Sequence, residues 1–314
     1  MQVNSLLDAL TSNRHREFVR KQTNPHEDTP KTPLASPTGP LLATDIKVSG
    51  QPLHPDNAGQ IIKPRELVDI IEITPLNRAE TVLYNQLLGH AWNEIRAKPV
   101  HKIRKSVLRG SHESNDRLNE AFDNLMGAWA KIRARDPQTG EMATFRVHLL
   151  GTNKEEDKSD GYFTYTFPPD LLAIISQSNA WATIKSHIMY TLRSKYSIRL
   201  YEMIERRIGL TKQFEEFSIE DLRGLLGVPD GKLPRYADFN KHCLQPALEE
   251  VNHLTDFFVS IAAIKKGRTV EKLMLHWARK DPEGRRQAES ERKRSRIGRS
   301  ARRKGTVEVI AFDK

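Results

Sequence analysis

Residues 236–254 read YADFNKHCLQPALEEVNHL. Phe239, Leu244, Leu248, Val251 and Leu254 recur there at helical spacing, which predicts a helix with one apolar, inward face. Its outward, N-terminal side carries Arg235, Tyr236, Asn240, Lys241 and Gln245. Pro246 interrupts the pattern: a proline in a helix interior removes a hydrogen bond and costs roughly 3 kcal/mol if uncompensated. Either the helix kinks at Pro246, or it begins there with the proline in its first turn, leaving Asn240 and Lys241 in a loop.

Two strand-like runs follow, Phe257–Ile264 and Thr269–Trp277, joined at Lys265-Lys-Gly-Arg268. Upstream, Ser218-Ile-Glu-Asp221 has the form of a capping box opening a short helix over Leu222, Leu225 and Leu226, and Gly227-Val-Pro-Asp-Gly231 supplies a turn. A long helix is expected before that, from about 180 to 208, with Ile184, Ile188, Leu192, Tyr196, Leu200 and Ile204 every four residues. Helix, turn, helix and hairpin is the plan of a winged helix, whose second helix enters the major groove.

Further upstream the same order recurs. A helix opens after Thr74-Pro75 with Leu76, Val82, Leu83, Leu87 and Trp92. Val100–Leu108 suits a short edge strand, and Leu118, Phe122, Leu125, Trp129 and Ile132 predict a second amphipathic helix. Ala143–Leu150 and Gly161–Phe167 read as a strand pair around the acidic loop 152–160. The expected fold is therefore α+β, with two tandem winged helices at 61–178 and 179–280. They are flanked by a disordered, proline-rich arm (1–60) and a basic tail (281–314).

The chain has 314 residues, a formal charge of +10 and a single cysteine, Cys243. One cysteine excludes a disulfide framework and fits a reducing cytoplasm; no apolar run is long enough to span a membrane, and no secretory leader is visible. The positive charge points to a polyanion as partner. It is concentrated: 279–304 hold twelve Lys/Arg against four Asp/Glu, and 98–110 hold five against none. A charged run of this kind is as readily a solvated face as a DNA contact.

Enzyme signatures fail. Gly231-Lys232 is followed by Leu233 and lacks the upstream glycine of a phosphate-binding loop, and no His-x-His, His-Glu-x-x-His, Gly-x-Ser-x-Gly or Asp-x-Asp occurs. No catalytic residue, metal or cofactor is therefore expected. Binding chemistry is present instead. Asn240 and Gln245 can pair bidentately with adenine, and Arg235 and Lys241 with guanine, while Lys265, Lys266 and Arg268 are placed to grip phosphate. In the first unit Lys102, Arg104, Lys105 and Arg109, with Arg117 at the next helix start, are expected to contact phosphates, a second protomer, or both. His242 and Cys243 are given no chemistry.

The second unit resembles the iteron-binding plasmid replication initiators. The likeness rests on Ser194-Lys-Tyr-Ser-Ile-Arg-Leu-Tyr-Glu202, Phe217-Ser-Ile-Glu-Asp-Leu222, Leu226-Gly-Val228 and Tyr236-Ala-Asp-Phe239. It continues in Leu244-Gln-Pro-Ala-Leu-Glu-Glu-Val-Asn252, Thr255-Asp256 and Lys265-Lys-Gly-Arg268. The first unit matches in layout, through 116–135 and the strand ending Tyr165-Thr-Phe-Pro168. The resemblance implies a bacterial, cytoplasmic, non-enzymatic protein. It would bind direct repeats in double-stranded origin DNA, help open an A·T-rich segment, and recruit the host initiator and helicase. It also implies homodimers formed through the first winged helix that repress the initiator's own gene, a mid-helix proline that favours the kink, and groove reading by Arg235, Asn240, Lys241 and Gln245. The alternative is a winged-helix transcription regulator without an initiator role; a nuclease or primase with a spatially assembled site is the third class.

Overall fold

The computed structural model describes residues 59–109, 116–158 and 160–303, so the proline-rich arm, up to residue 58, lies outside the described residues. The first unit begins with strand β1 (Gln60–Pro64), the short helix α1 (Arg65–Val68) and strand β2 (Glu72–Ile73). Helix α2 (Arg78–Ala91) starts where Asn77 accepts the Glu80 N–H and Glu80 reaches back to the Asn77 N–H at 2.6 Å, a reciprocal cap that satisfies two orphan donors. Then come β3 (Val100–Arg104), α3 (Lys105–Arg109), α4 (Asp116–Met126), β4 (Trp129–Arg135), β5 (Met142–His148), β6 (Asn153–Glu155) and β7 (Tyr162–Thr166).

Three expectations for this unit are corrected. The amphipathic helix stops at Met126, before Gly127, and Trp129–Arg135 is a strand. Ile132 sits at a helical interval from Leu125, but the local period is two: Ala130, Ile132 and Ala134 are buried while their neighbours face outward. The hairpin is β4–β5, with Lys131 opposite Arg146 and Arg133 opposite Thr144. Strand β7 pairs instead with β3 and β6, so 143–150 and 161–167 belong to different sheets. The edge strand ends at Arg104, and Val107 lies in α3, 61 % exposed.

Helix α5 (Pro169–Ser176) leads to β8 (Trp181–Lys185), the turn α6 (Ser186–Met189) and α7 (Lys195–Arg207). The long helix expected from 180 is thus a strand, a turn and a helix. Ser194 caps α7 through the Tyr196 N–H, and the buried Glu250 carboxylate accepts the Arg193 and Ser194 N–H groups. Ile184, Ile188 and Leu192 still face the core, from the strand and turn.

The second unit adds β9 (Phe214–Ser218), unanticipated from the sequence, and α8 (Ile219–Leu225), capped by Ser218 through the Asp221 N–H. Next are α9 (Tyr236–Phe239), a π-helical turn (Asn240–Leu244) and α10 (Gln245–Leu254), which together make one continuous helix. Strands β10 (Phe257–Lys266) and β11 (Thr269–Arg279) form the wing, and β9 pairs with β11. Beyond the wing, α11 (Pro282–Lys293) and α12 (Arg299–Arg303) show that the first part of the basic tail is folded.

The units are joined by more than a linker. Strand β1 pairs along its length with β8, and Ile61 and Val68 pack in the core of the second unit. At the junction Lys63 is buried, with its ammonium 2.8 Å from Glu202 and 3.0 Å from Asn85; Asn85 and Arg199 also hold the Glu202 carboxylate. Burial pushes the Lys63 ammonium down to about 8 even so. Asp69 takes both Arg206 and Arg207 at 2.9 and 2.8 Å. Gly224 lies so close to the Ile71 carbonyl that any Cβ there would collide with backbone.

Candidate nucleic-acid interface

The continuous helix 236–254 of the second unit settles the proline. The Gln245 N–H donates to the Asn240 carbonyl, five residues back, which defines the π turn. Pro246 follows at once, where the widened turn has already broken the regular ladder that a proline would disrupt. The helix therefore neither stops nor restarts, and Asn240 and Lys241 are helical.

Phe239, Cys243, Leu244, Ala247, Leu248, Val251 and Leu254 fill the inward face. Burial pushes the Cys243 thiol up to about 12, so it is an inert core group. Lys241, His242, Gln245 and Pro246 are exposed on the other side, with Asn240 half-exposed between them. Arg235 projects into solvent, 81 % exposed, and holds Asp238 at 2.7 Å. Tyr236 is half-buried against the core, which pushes its hydroxyl pKa up; its ring serves the packing as much as the surface.

The approach to this helix is braced. Arg223 donates to the Lys232 and Leu233 carbonyls and lies over the Phe239 ring at 5.5 Å. Leu233 adopts φ +51, a left-handed conformation rarely taken by a branched residue, in the loop just ahead of Arg235. At the far end Lys280 donates to the Thr255 carbonyl at 2.8 Å and Arg292 to the Leu254 carbonyl at 2.9 Å, so cations sit on the negative end of the helix dipole.

The wing turns tightly at Gly267 (φ +63) and Arg268, because Lys266 pairs directly with Thr269. Lys265, Lys266 and Arg268 are all exposed at its tip. None of Lys241, Lys265, Lys266 and Arg268 makes an ion pair among the described residues. An unpaired surface cation can meet a phosphate without first surrendering a carboxylate.

The first unit differs. Lys105 is 2 % exposed, with its ammonium against the Glu155 carboxylate and the Glu156 carbonyl, so the expected phosphate contact there is corrected: it is an internal bond. Lys102 pairs with Glu156 at 3.0 Å and lies over the Tyr162 ring; Arg104 bonds the Tyr162 hydroxyl and lies 3.7 Å from Asp160. The cationic cluster thus faces the acidic loop that follows β6. Arg117 is exposed on α4, whose outer side also carries Asp116, Glu120 and Asp123. The Arg109 side chain lies outside the described residues.

A different set of cations was missed in the sequence. Lys131, Arg133 and Arg135 alternate on β4 and share a face with Arg146 and His148 of β5. Glu72 approaches Lys131 at 3.9 Å, while Arg133 and Arg146 have no ion pair among the described residues. The period-two signal was available, hidden under a helical assignment. Among the described residues no group of His, Cys, Asp and Glu is placed to hold a metal, and no helix is long and apolar enough to cross a membrane.

Comparison with known proteins bears on the whole arrangement. A search of curated proteins finds no match. Among solved structures, the crystal structure of Pi initiator protein in complex with iteron DNA shares the fold. The TM-score is 0.52 at 20 % identity, over 72 % of this chain and 99 % of that one. RctB domains 2 and 3 also match, at 11 % identity over 69 % of this chain and 85 % of that one, but a TM-score of 0.38 carries no argument. Family models match both units: "Initiator Replication protein, WH1" over residues 62–205 and "Initiator Rep protein, WH2" over 218–277. Two winged helices matched in that order, across nearly all of the paired units, show that this chain belongs to the replication initiator (Rep) protein family.

Proposed function

We propose that the chain initiates plasmid replication by binding direct repeats in double-stranded origin DNA. The second winged helix reads each repeat through Arg235, Asn240, Lys241 and Gln245, and its wing grips phosphate through Lys265, Lys266 and Arg268. The observation that carries this reading is the row of exposed amide and basic side chains on the reading helix, joined to a wing tip of unpaired cations. That is the equipment for base readout with register fixed by the backbone. The similarity to the Pi initiator, solved on iteron DNA, supports repeats as the target.

In the first unit the exposed face of β4 and β5, with Lys131, Arg133, Arg135 and Arg146, is the better phosphate contact than the paired Lys102 and Arg104. Bound to its repeats, the protein would promote opening of an adjacent A·T-rich segment and recruit host replication proteins, including the host initiator and helicase. Dimers formed through the first winged helix would act in copy control. The chemistry is binding rather than catalysis, and its place is the bacterial cytoplasm.

Footprinting the full chain on DNA flanking its own gene tests the proposal. Expected are tandem protected blocks of one sequence, spaced by about two turns of DNA. A single isolated site, with replication of the plasmid unaffected by loss of the chain, would replace the initiator by a transcription regulator.

A further inference from the structure

Residues 282–303 lie outside both family matches, yet they are built into the fold. Asp281 caps α11 through the Gly284 N–H at 2.7 Å, and Ala288 seats the helix with 2 % of its surface exposed. Arg292 reaches the Leu254 carbonyl and lies 3.6 Å from Asp256. Arg299 is buried and donates to the carbonyls of Glu291, Arg292 and Arg294 at 3.1–3.3 Å, and Arg302 holds the Glu291 carboxylate at 2.9 Å. Several arginines of the segment are thus fasteners that hold α11 in one place.

Arg285, Arg286 and Lys293 face solvent across a groove of about 710 Å³ between α11 and the β8–α6 segment, with Arg292 at its floor. Lys185, Arg285, Arg286, Arg292 and Lys293 line it with His187, against two carboxylates, Asp256 and Glu289. Asp256 is already shared by Lys185 (2.5 Å) and Arg292, and Glu289 is held by Lys293 at 2.6 Å. Arg285 makes no ion pair among the described residues. The pair of Arg286 with Glu283 is exposed on both sides, and such a pair is weak enough for a phosphate to displace. Cations outnumber carboxylates around the groove, and His187 is held below its ordinary pKa first by burial and then by Arg292 and Lys185, against the opposing pull of Asp256 and Glu289.

Composition narrows the partner. No Asn or Gln amide lines the groove, so it has little with which to read bases, and no Phe, Tyr or Trp ring lines it on which single-stranded bases would stack. Position narrows it further. The groove adjoins the C-terminal end of the reading helix, about 14 Å along the axis from Gln245, while the wing tip lies about 30 Å along β10 from the strand's start.

We propose that the groove between α11 and the β8–α6 segment is a second DNA-binding face, which grips the phosphate backbone of another duplex segment while the second winged helix holds its repeat. One chain then holds two duplex segments, one by sequence and one by charge. The inference rests on the DNA-binding reading above for the first segment only.

The test is capture. Full-length protein is bound to an immobilised duplex carrying its repeat, washed, and offered a labelled duplex of random sequence over a range of salt. Wild-type complexes should retain the second duplex. The Arg285→Glu/Arg286→Glu variant should lose that retention by at least about tenfold and lower its log–log salt slope by about two, with repeat binding preserved. An unchanged melting temperature shows that the variant folds. Lys241→Ala separates the two ideas: it should weaken loading on the repeat while leaving random-duplex binding by the groove intact. Absence of capture by wild type, equal capture by the charge-reversed variant, or an equal loss on repeat and random DNA would each overturn the second face. Failure to load on any repeat would instead overturn the initiator reading, and the groove would then stand or fall on random-duplex binding by the charge-reversed variant.

Discussion

The side chain of Gln245 donates to Asn240 Oδ1 at 3.1 Å, across five residues of the reading helix. In a regular α-helix those positions point about 140° apart and do not meet. The π turn at 240–244 rotates them together, so the two amides best suited to adenine present one linked surface. The bond also holds each side chain in place, which would reduce the ordering cost of the proposed readout.

Asn240→Ala and Gln245→Ala should each weaken binding to the cognate repeat by roughly 1–3 kcal/mol while leaving random DNA unaffected. Because they share a hydrogen bond, the double variant should cost less than the sum. Equal losses on both DNAs in a titration would rule out base readout by this pair.

The wing tip should behave differently. Replacing Lys265, Lys266 and Arg268 by alanine removes three unpaired cations, so binding should weaken on repeat and random DNA alike. The log–log salt slope should fall by about three. A slope that does not move would take the wing off the phosphates.

In the first unit, Arg133→Ala/Arg146→Ala should lower the salt slope by about two, and Lys102→Ala/Arg104→Ala should lower it by less, because each of those cations must first give up a carboxylate and a contact with Tyr162. The second pair is already engaged by Glu156, Asp160 and Tyr162. The reverse outcome would restore the 98–110 cluster as the contact.

Glu202→Ala leaves the buried Lys63 ammonium without its carboxylate and should cost about 3–5 kcal/mol in denaturant unfolding. Combined with Lys63→Ala, the loss should fall short of the sum, and the shortfall measures the junction bond. Strict additivity would show that the two groups are not coupled.

Glu205 gives a pH signature. Burial raises its carboxyl to about 7, against the hydrogen bond from Tyr201 and the pull of Lys185 and Arg279. The folded state therefore binds more protons than the unfolded one between the ordinary carboxyl range and pH 7. Stability from this group is present at low pH and lost as pH rises through about 7. Relative to the parent, Glu205→Gln should gain stability between about pH 5 and about pH 8; a difference that does not vary with pH would remove Glu205 as its source.

The second winged helix was legible because its signals are local: a capping serine at 218, an apolar row from Phe239 to Leu254, and a Lys-Gly-Arg turn. The first was misassigned where two periods coincide, since Leu125, Trp129 and Ile132 fit a helix as well as they fit the end of one and the start of a strand. Long-range pairings left no local mark. Nothing in Trp181–Lys185 announces that its partner is Gln60–Pro64, and nothing in Lys105 announces Glu155. Charge counts located the cations but not their counter-ions, which is why the 98–110 cluster seemed free and the β4–β5 face went unnoticed.

The β1–β8 ladder changes what a piece of this chain can be. A break near residue 178 separates the two winged helices on paper, yet it strips Gln60–Pro64 of every strand partner and Ile61 of its core. A truncation there leaves each half without part of its core, and a nick leaves them held only by the β1–β8 ladder and the contacts around Lys63. A swap of the second winged helix between related chains would therefore have to carry Gln60–Pro64 along with it.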